Sequence, residues 1–178
     1  MAVWSILDRQ RTQYKTLHAW LRVIVRYTLG LTLLLYGGVK VVPMQFEAPR
    51  FGQLVRPWDD VSPMGALCRF MGASLNYTIF AGLAEYVSGA LLFFRRTVLL
   101  GGMGAAGVMN VVVLNYCYDV PVKLLSTHLF LMALFLLVPD AGRLWAVLVM
   151  NRAVEPVHER SDLLTIPRFH NWAIPSSP

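Results

Sequence analysis

The sequence predicts an all-α integral membrane protein, a four-helix bundle with interfacial amphipathic helices. Of its 178 residues 56% are hydrophobic and only 15% are charged, whereas a soluble domain carries roughly 25% charged residues. The mean hydropathy of +0.52 is far from the low values of a disordered chain. The apolar residues gather in four runs that approach the ~20 residues a helix needs to cross the hydrocarbon core. Period-two alternation, the mark of a membrane barrel, is absent. An ordinary soluble enzyme is thereby excluded, and one membrane domain is expected for this length.

Residues 1–20 come first. Trp4, Leu7, Tyr14, Leu17 and Leu21 recur every three or four positions with Arg9, Arg11 and Lys15 between them. This pattern suits either an amphipathic segment in the headgroup layer or a solvated tail leading into the first span. It lacks a continuous apolar core and a small-residue cleavage site, so no signal peptide is expected. The bundle occupies residues 21–150, with spans at about 21–42, 78–94, 98–118 and 122–138. The second carries a single charge, Glu85, and the third has neither formal charge nor proline. The second and fourth are slightly short, which tilt and local thinning accommodate. Prolines fall between the spans: Pro43, Pro49, Pro57 and Pro63 in the first connection, Pro121 before the fourth span and Pro139 at its end. A proline inside a helix removes a hydrogen bond and clashes with the preceding turn, so this distribution supports the boundaries.

The connection from 43 to 77 is long for a helical bundle. Ser62 followed by Pro63 reads as a helix N-cap and first helical position. Met64, Leu67, Phe70 and Met71 then line one side of a short interfacial helix, with Trp58 and Tyr77 suited to the membrane boundary. Residues 144–150 form a short interfacial or continuing helix, and 151–178 a polar cytoplasmic tail.

The net charge is +6, and 13 of the 16 basic residues are arginine. Most flank apolar runs instead of clustering on a polar surface, so the bilayer is the expected partner and nucleic acid is not. Arg9, Arg11, Lys15, Arg22, Arg95, Arg96, Arg143, Arg152, Arg160 and Arg168 lie on one side of the spans. Lys40, Arg50, Arg56, Arg69 and Lys123 lie on the other. The imbalance places both termini in the cytoplasm.

Chemistry is sought where polar groups enter the spans, because an unpaired one in hydrocarbon costs roughly 2.5–3.5 kcal/mol. At 1.5 Å per residue, Glu85, Asn110 and His128 lie ~10, ~12 and ~8 Å below the outer boundary. They form a candidate cofactor-binding layer. Asn115, Asp119, Lys123 and Lys40 follow at its outer mouth. Two readings stand side by side: a proton-accessible or ligand-binding pocket, and a satisfied polar knot that fixes helix register. For Asp119 and Lys123, which flank Pro121, a local ion pair is the simpler account. Small residues at Gly101/Ala105 and Gly102/Ala106, and glycine stripes at Gly30/Gly37 and Gly82/Gly89, predict close helix packing. Cys68 and Cys117 fall on the same side, where a disulfide or two independent thiols both fit. No C-x-x-C pair, helical histidine pair, nucleotide loop or nucleophile elbow is present, and no metal site is expected.

Residues 29–42 (LGLTLLLYGGVKVV), 80–96 (FAGLAEYVSGALLFFRR) and 108–123 (VMNVVVLNYCYDVPVK) together resemble the DoxX family of bacterial four-span membrane proteins. The likeness covers residues 22–143. It rests on the glycine–lysine end of the first span, the glutamate of the second and the Asn-x4-Asn-x3-Asp-Val-Pro-Val-Lys segment. The resemblance implies a four-helix membrane fold. Its family name derives from a subunit of a sulfur-compound:quinone oxidoreductase, which makes quinone the cofactor to consider. A quinone-linked subunit working with other membrane proteins is thus one expectation. The other is a non-enzymatic scaffold or small-solute transporter, self-associating or bound to partner subunits. No repeats or broken helices of the transporter kind are expected, so the scaffold ranks first in that class. The residues are compatible with either an enzyme subunit or a non-enzymatic protein.

Overall fold

The computed structural model describes residues 15–154, with side chains from residue 17 onward. The amphipathic pattern of residues 1–14 and the tail from residue 155 lie outside the described residues. Every regular element among them is helical.

Helix α1 (Lys15–Val41) runs unbroken for 27 residues. Residues 15–20, expected in an interfacial segment or a tail leading into the first span, are the first turns of this helix. No proline or glycine occurs between Lys15 and Leu29, so nothing in the sequence ends a helix before the span. Its far end is set by Pro43, which disfavours helical geometry at the residue before it. The long connection holds a single turn α2 (Phe51–Leu54), a 3-10 turn at Trp58–Asp60 and helix α3 (Pro63–Ala73). As the sequence predicts, Ser62 caps α3, its Oγ accepting the Gly65 N–H at 3.1 Å, and Pro63 opens it. Ser74 alone separates α3 from α4 (Leu75–Phe93), and its Oγ accepts the Tyr77 N–H at 3.3 Å. That cap starts α4 at Leu75, before the expected boundary at residue 78.

The third expected span is divided. Helix α5 (Val98–Val108) and helix α6 (Val111–Cys117) meet at Met109–Asn110. There the backbone tightens to i→i+3 bonds: Asn110 N–H to the Gly107 carbonyl, Val112 N–H to Met109 and Val113 N–H to Asn110. The absence of proline did not guarantee a regular helix: the break falls at Asn110, whose side chain makes no cap hydrogen bond, three residues after Gly107, a poor helix former. Helix α7 (Lys123–Leu137) continues through a 3-10 turn at Val138–Asp140 into α8 (Ala141–Leu148). Pro139 is absorbed in that turn, where its missing N–H costs little.

Among the described residues three helical runs are long and apolar enough to cross a membrane: Leu17–Val41, Val98–Cys117 and Lys123–Leu148. At 19 residues α4 is one residue shorter than the shortest of them, Val98–Cys117. Asn76, Thr78, Glu85 and Ser88 make it less apolar. Only 17%, 28% and 22% of the most apolar stretch of the three runs is buried within the protein. Their apolar faces point outward, as they do when lipid is the solvent. The interior is correspondingly small: Leu29, Leu33, Leu92, Ala105, Met109, Leu129, Ala133 and Leu136. Packing proceeds from α1 onto α4, from α4 onto α5 and from α5 onto α7, and α7 returns to α1.

The α1–α4 contact is the most extensive, and glycine makes it so. A Cβ placed on Gly37 would lie 2.6 Å from the Tyr86 nitrogen and 2.7 Å from the Gly82 carbonyl. One on Gly89 would lie 2.9 Å from the Gly30 carbonyl. The two stripes read from sequence therefore face each other, and backbone touches backbone along two helical turns.

Candidate functional site

The glycine contact positions the most buried ionic pair among the described residues. Lys40 leaves the last turn of α1 at the level of Gly82, where a Cβ would lie 2.7 Å from the Lys40 Cβ. Its stem then reaches one turn along α4, and Nζ donates to Glu85 Oε1. Glu85 is 4% exposed and Lys40 9%. The stem lies in the α1–α4 seam, an inward version of the way lysine spans apolar surface to place its charge. Only one lobe of the carboxylate is used: Glu85 Oε2 is buried with no hydrogen-bond partner. The pair thus combines a fixed lobe, an adjacent positive charge and an unengaged acceptor in a water-poor setting.

Two hydroxyls on α4 show what the site does not use. Thr78 is buried and donates to the Met71 carbonyl at 2.6 Å, tying α3 to α4. Ser88 donates to the Ala84 carbonyl at 2.7 Å, within its own helix. Both satisfy backbone groups, so neither hydroxyl proton is directed to Glu85.

The structure does not bring Glu85, Asn110 and His128 together. Asn110 sits at the α5–α6 junction and His128 on α7, and both are exposed on the protein surface. Equal depth along three helices is a statement about height only. The rotation of each helix decides which residues converge, and here it turns Asn110 and His128 outward.

Asn115 behaves differently. It is 6% exposed, and its Nδ2 donates to Ser126 Oγ at 2.9 Å across α6 and α7. Ser126 Oγ in turn donates to the Lys123 carbonyl at 2.9 Å. Asp119 and Lys123 form the local ion pair expected around Pro121. Asp119 is exposed and adopts φ +50°, a left-handed conformation that aspartate tolerates better than most residues. The Lys123 ammonium, hydrogen-bonded and close by, holds the Asp119 carboxyl below the usual carboxylate range. Cys68 and Cys117 are both free thiols.

Sequence reasoning placed Lys40 at the mouth and missed it as the direct partner of Glu85. The signal was present in the facing glycine stripes, which set α1 and α4 antiparallel with Lys40 one turn from Glu85. A second cluster, at the opposite end of the helices, was also missed. Asp140 lies 3.3 Å from Arg143 and 3.9 Å from Arg22, joining the start of α8 to α1. Among the described residues no group of three or more His, Cys, Asp or Glu side chains is placed to hold a metal ion.

The chain is 32% identical over 125 residues to the "Uncharacterized protein YwoB" of Bacillus subtilis (strain 168), a match covering 68% of this chain and 78% of that one. No protein-family model matches the chain, and no solved structure does.

Proposed function

We propose that this chain, which belongs to the same protein family as YwoB, is a DoxX-like, four-span subunit of a quinone-linked redox complex in the bacterial cytoplasmic membrane. In this reading α4 crosses beside the three more apolar runs. Its 19 residues extend about 28 Å, and Lys40 offsets its one charge. Both termini face the cytoplasm, on the side richer in arginine and lysine.

One observation carries the reading: the buried Lys40–Glu85 pair keeps an unengaged carboxylate oxygen. Ionisable groups inside membrane helices are costly and commonly functional. Glu85 Oε2 is suited to accept a hydrogen bond from a quinol hydroxyl. Lys40 stabilises the negative charge of that carboxylate. A redox centre for the electrons would come from a partner subunit. The second reading, a scaffold without chemistry, is favoured by where the pair sits. It lies in the glycine seam and fixes the register of α1 on α4, while Asn110 and His128 add nothing to it.

Quinone binding separates the two. The protein in lipid nanodiscs is titrated with a short-chain quinone and quinol, followed by quenching of tryptophan fluorescence. Saturable binding is expected, weakened at least tenfold in Glu85→Gln. Breaking one partner of a buried pair costs about 3–5 kcal/mol, whereas replacing both with apolar residues is often neutral. Lys40→Met/Glu85→Leu therefore keeps the fold testable, and it is expected to recover thermal stability without recovering binding. Absence of saturable binding to the native protein, or full binding by the double variant, overturns the quinone reading and leaves the scaffold.

A further inference from the structure

A cleft of about 400 Å³ opens in the long connection that follows α1, and neither Lys40 nor Glu85 is among its lining residues. Its walls come from the segment after α1, from α2, from the 3-10 turn and from α3. Gln53, Arg56, Asp60, Ser62, Cys68 and Arg69 are among its lining residues. The volume is of the size that holds a small ligand or a headgroup.

Charge in this cleft is not internally balanced. Arg69 is half-buried and Arg56 exposed, and neither has an ion-pair partner among the described residues. Glu47, also in the wall, is engaged by Arg50 at 2.9 Å. Asp60 is the one lining carboxylate left, against two guanidinium groups. The first turn of α3, an 11-residue helix, adds the partial positive charge of its amino end through Ser62 and Gly65 at the wall. Guanidinium groups match phosphate oxygens with paired, directional hydrogen bonds.

The segment that walls the cleft also carries exposed apolar side chains that do not line it. Phe51 is 91% exposed, Val55 83% and Trp58 74%. They follow α1 in the same connection that supplies the cleft walls. Large exposed apolar side chains in the same segment as unpaired arginines suit an amphiphile, with an anionic head between the arginines and apolar chains against Phe51, Val55 and Trp58.

We propose that the cleft between Arg56 and Arg69 binds an anionic phosphate group, as carried by an acidic phospholipid headgroup or by free phosphate. This site shares no residue with the quinone reading and stands or falls separately from it.

The test uses the full chain in mixed micelles, with native mass spectrometry reading bound dimyristoyl phosphatidylglycerol and phosphatidylcholine. Phosphatidylglycerol is expected to be retained in preference to the zwitterionic lipid. Retention should fall about tenfold in R56Q/R69Q and recover in part in R56K/R69K. Asp60→Asn, which removes the opposing carboxylate, should raise retention severalfold, a gain that misfolding does not produce. Inorganic phosphate is then added as competitor. Displacement identifies phosphate at large as the ligand, and resistance identifies the lipid headgroup; the proposal holds in either case. Equal retention of the two lipids, equal retention by the native protein and R56Q/R69Q, or no gain in Asp60→Asn would overturn it.

Discussion

Gly37 and Gly38 are neighbours in sequence with opposite environments, and this makes one comparison decisive for the α1–α4 seam. A Cβ on Gly37 would meet the Tyr86 nitrogen at 2.6 Å and the Gly82 carbonyl at 2.7 Å, both backbone atoms, while one on Gly38 meets nothing within 4 Å. Ordinary contact begins near 3.4 Å, so Gly37→Ala forces the helices apart by several tenths of an ångström or more. Rotamer change gives no relief, because the obstructing atoms are main chain. Overpacking of this kind costs about 1–3 kcal/mol. Gly38→Ala removes a poor helix former at an open position and gains up to about 1 kcal/mol. The assay is thermal or denaturant unfolding of the two variants in the same detergent, with the native chain as reference. Gly37→Ala is expected below it and Gly38→Ala at or above it. Separation of the helices should also draw Lys40 from Glu85, so Gly37→Ala should weaken quinone binding together with stability. Equal stability of the two variants would refute the backbone-to-backbone packing on which the site geometry rests.

The outward rotation of Asn110 and His128 predicts that Asn110→Ala and His128→Ala each change stability by no more than about 0.5 kcal/mol, and leave quinone titrations unaltered. A large loss in either would restore them to the Glu85 layer. For the Asp119–Lys123 turn, the lowered carboxyl pKa means that the pair supports the fold above the ordinary aspartate pKa of about 3.9. That support is lost as pH falls through the lower, folded value. Asp119→Asn, which keeps a residue tolerant of the left-handed backbone, should lie slightly below the native chain at pH 7. Unfolding curves of the two should converge in strong acid, and a gap unchanged from pH 7 to pH 3 would contradict the pairing. The effect is small because Asp119 is exposed to solvent.

Local rules were legible where their causes are local. The Ser62–Pro63 cap, the exit of α1 before Pro43 and the Asp119–Lys123 pair each depend on residues within four positions of one another. The division of the third run at Met109–Asn110 escaped notice because a hydropathy pattern records burial and not backbone hydrogen bonding. The start of α1 at Lys15 was not fixed by pattern, because amphipathic spacing and helix continuation share one periodicity.

Composition and charge determined that this chain belongs to a membrane, because water cannot solvate so much apolar surface and lipid can. The same residues determined where polar groups enter the spans, since depth follows from counting 1.5 Å per residue. Only the tertiary structure decided which of those groups meet. Glu85 found Lys40 because two glycine stripes let α1 and α4 touch, while rotation of the other helices carried Asn110 and His128 to the surface. Depth is a one-dimensional property of the chain; convergence depends on how each helix is turned about its axis, and neighbouring helices fix that turn.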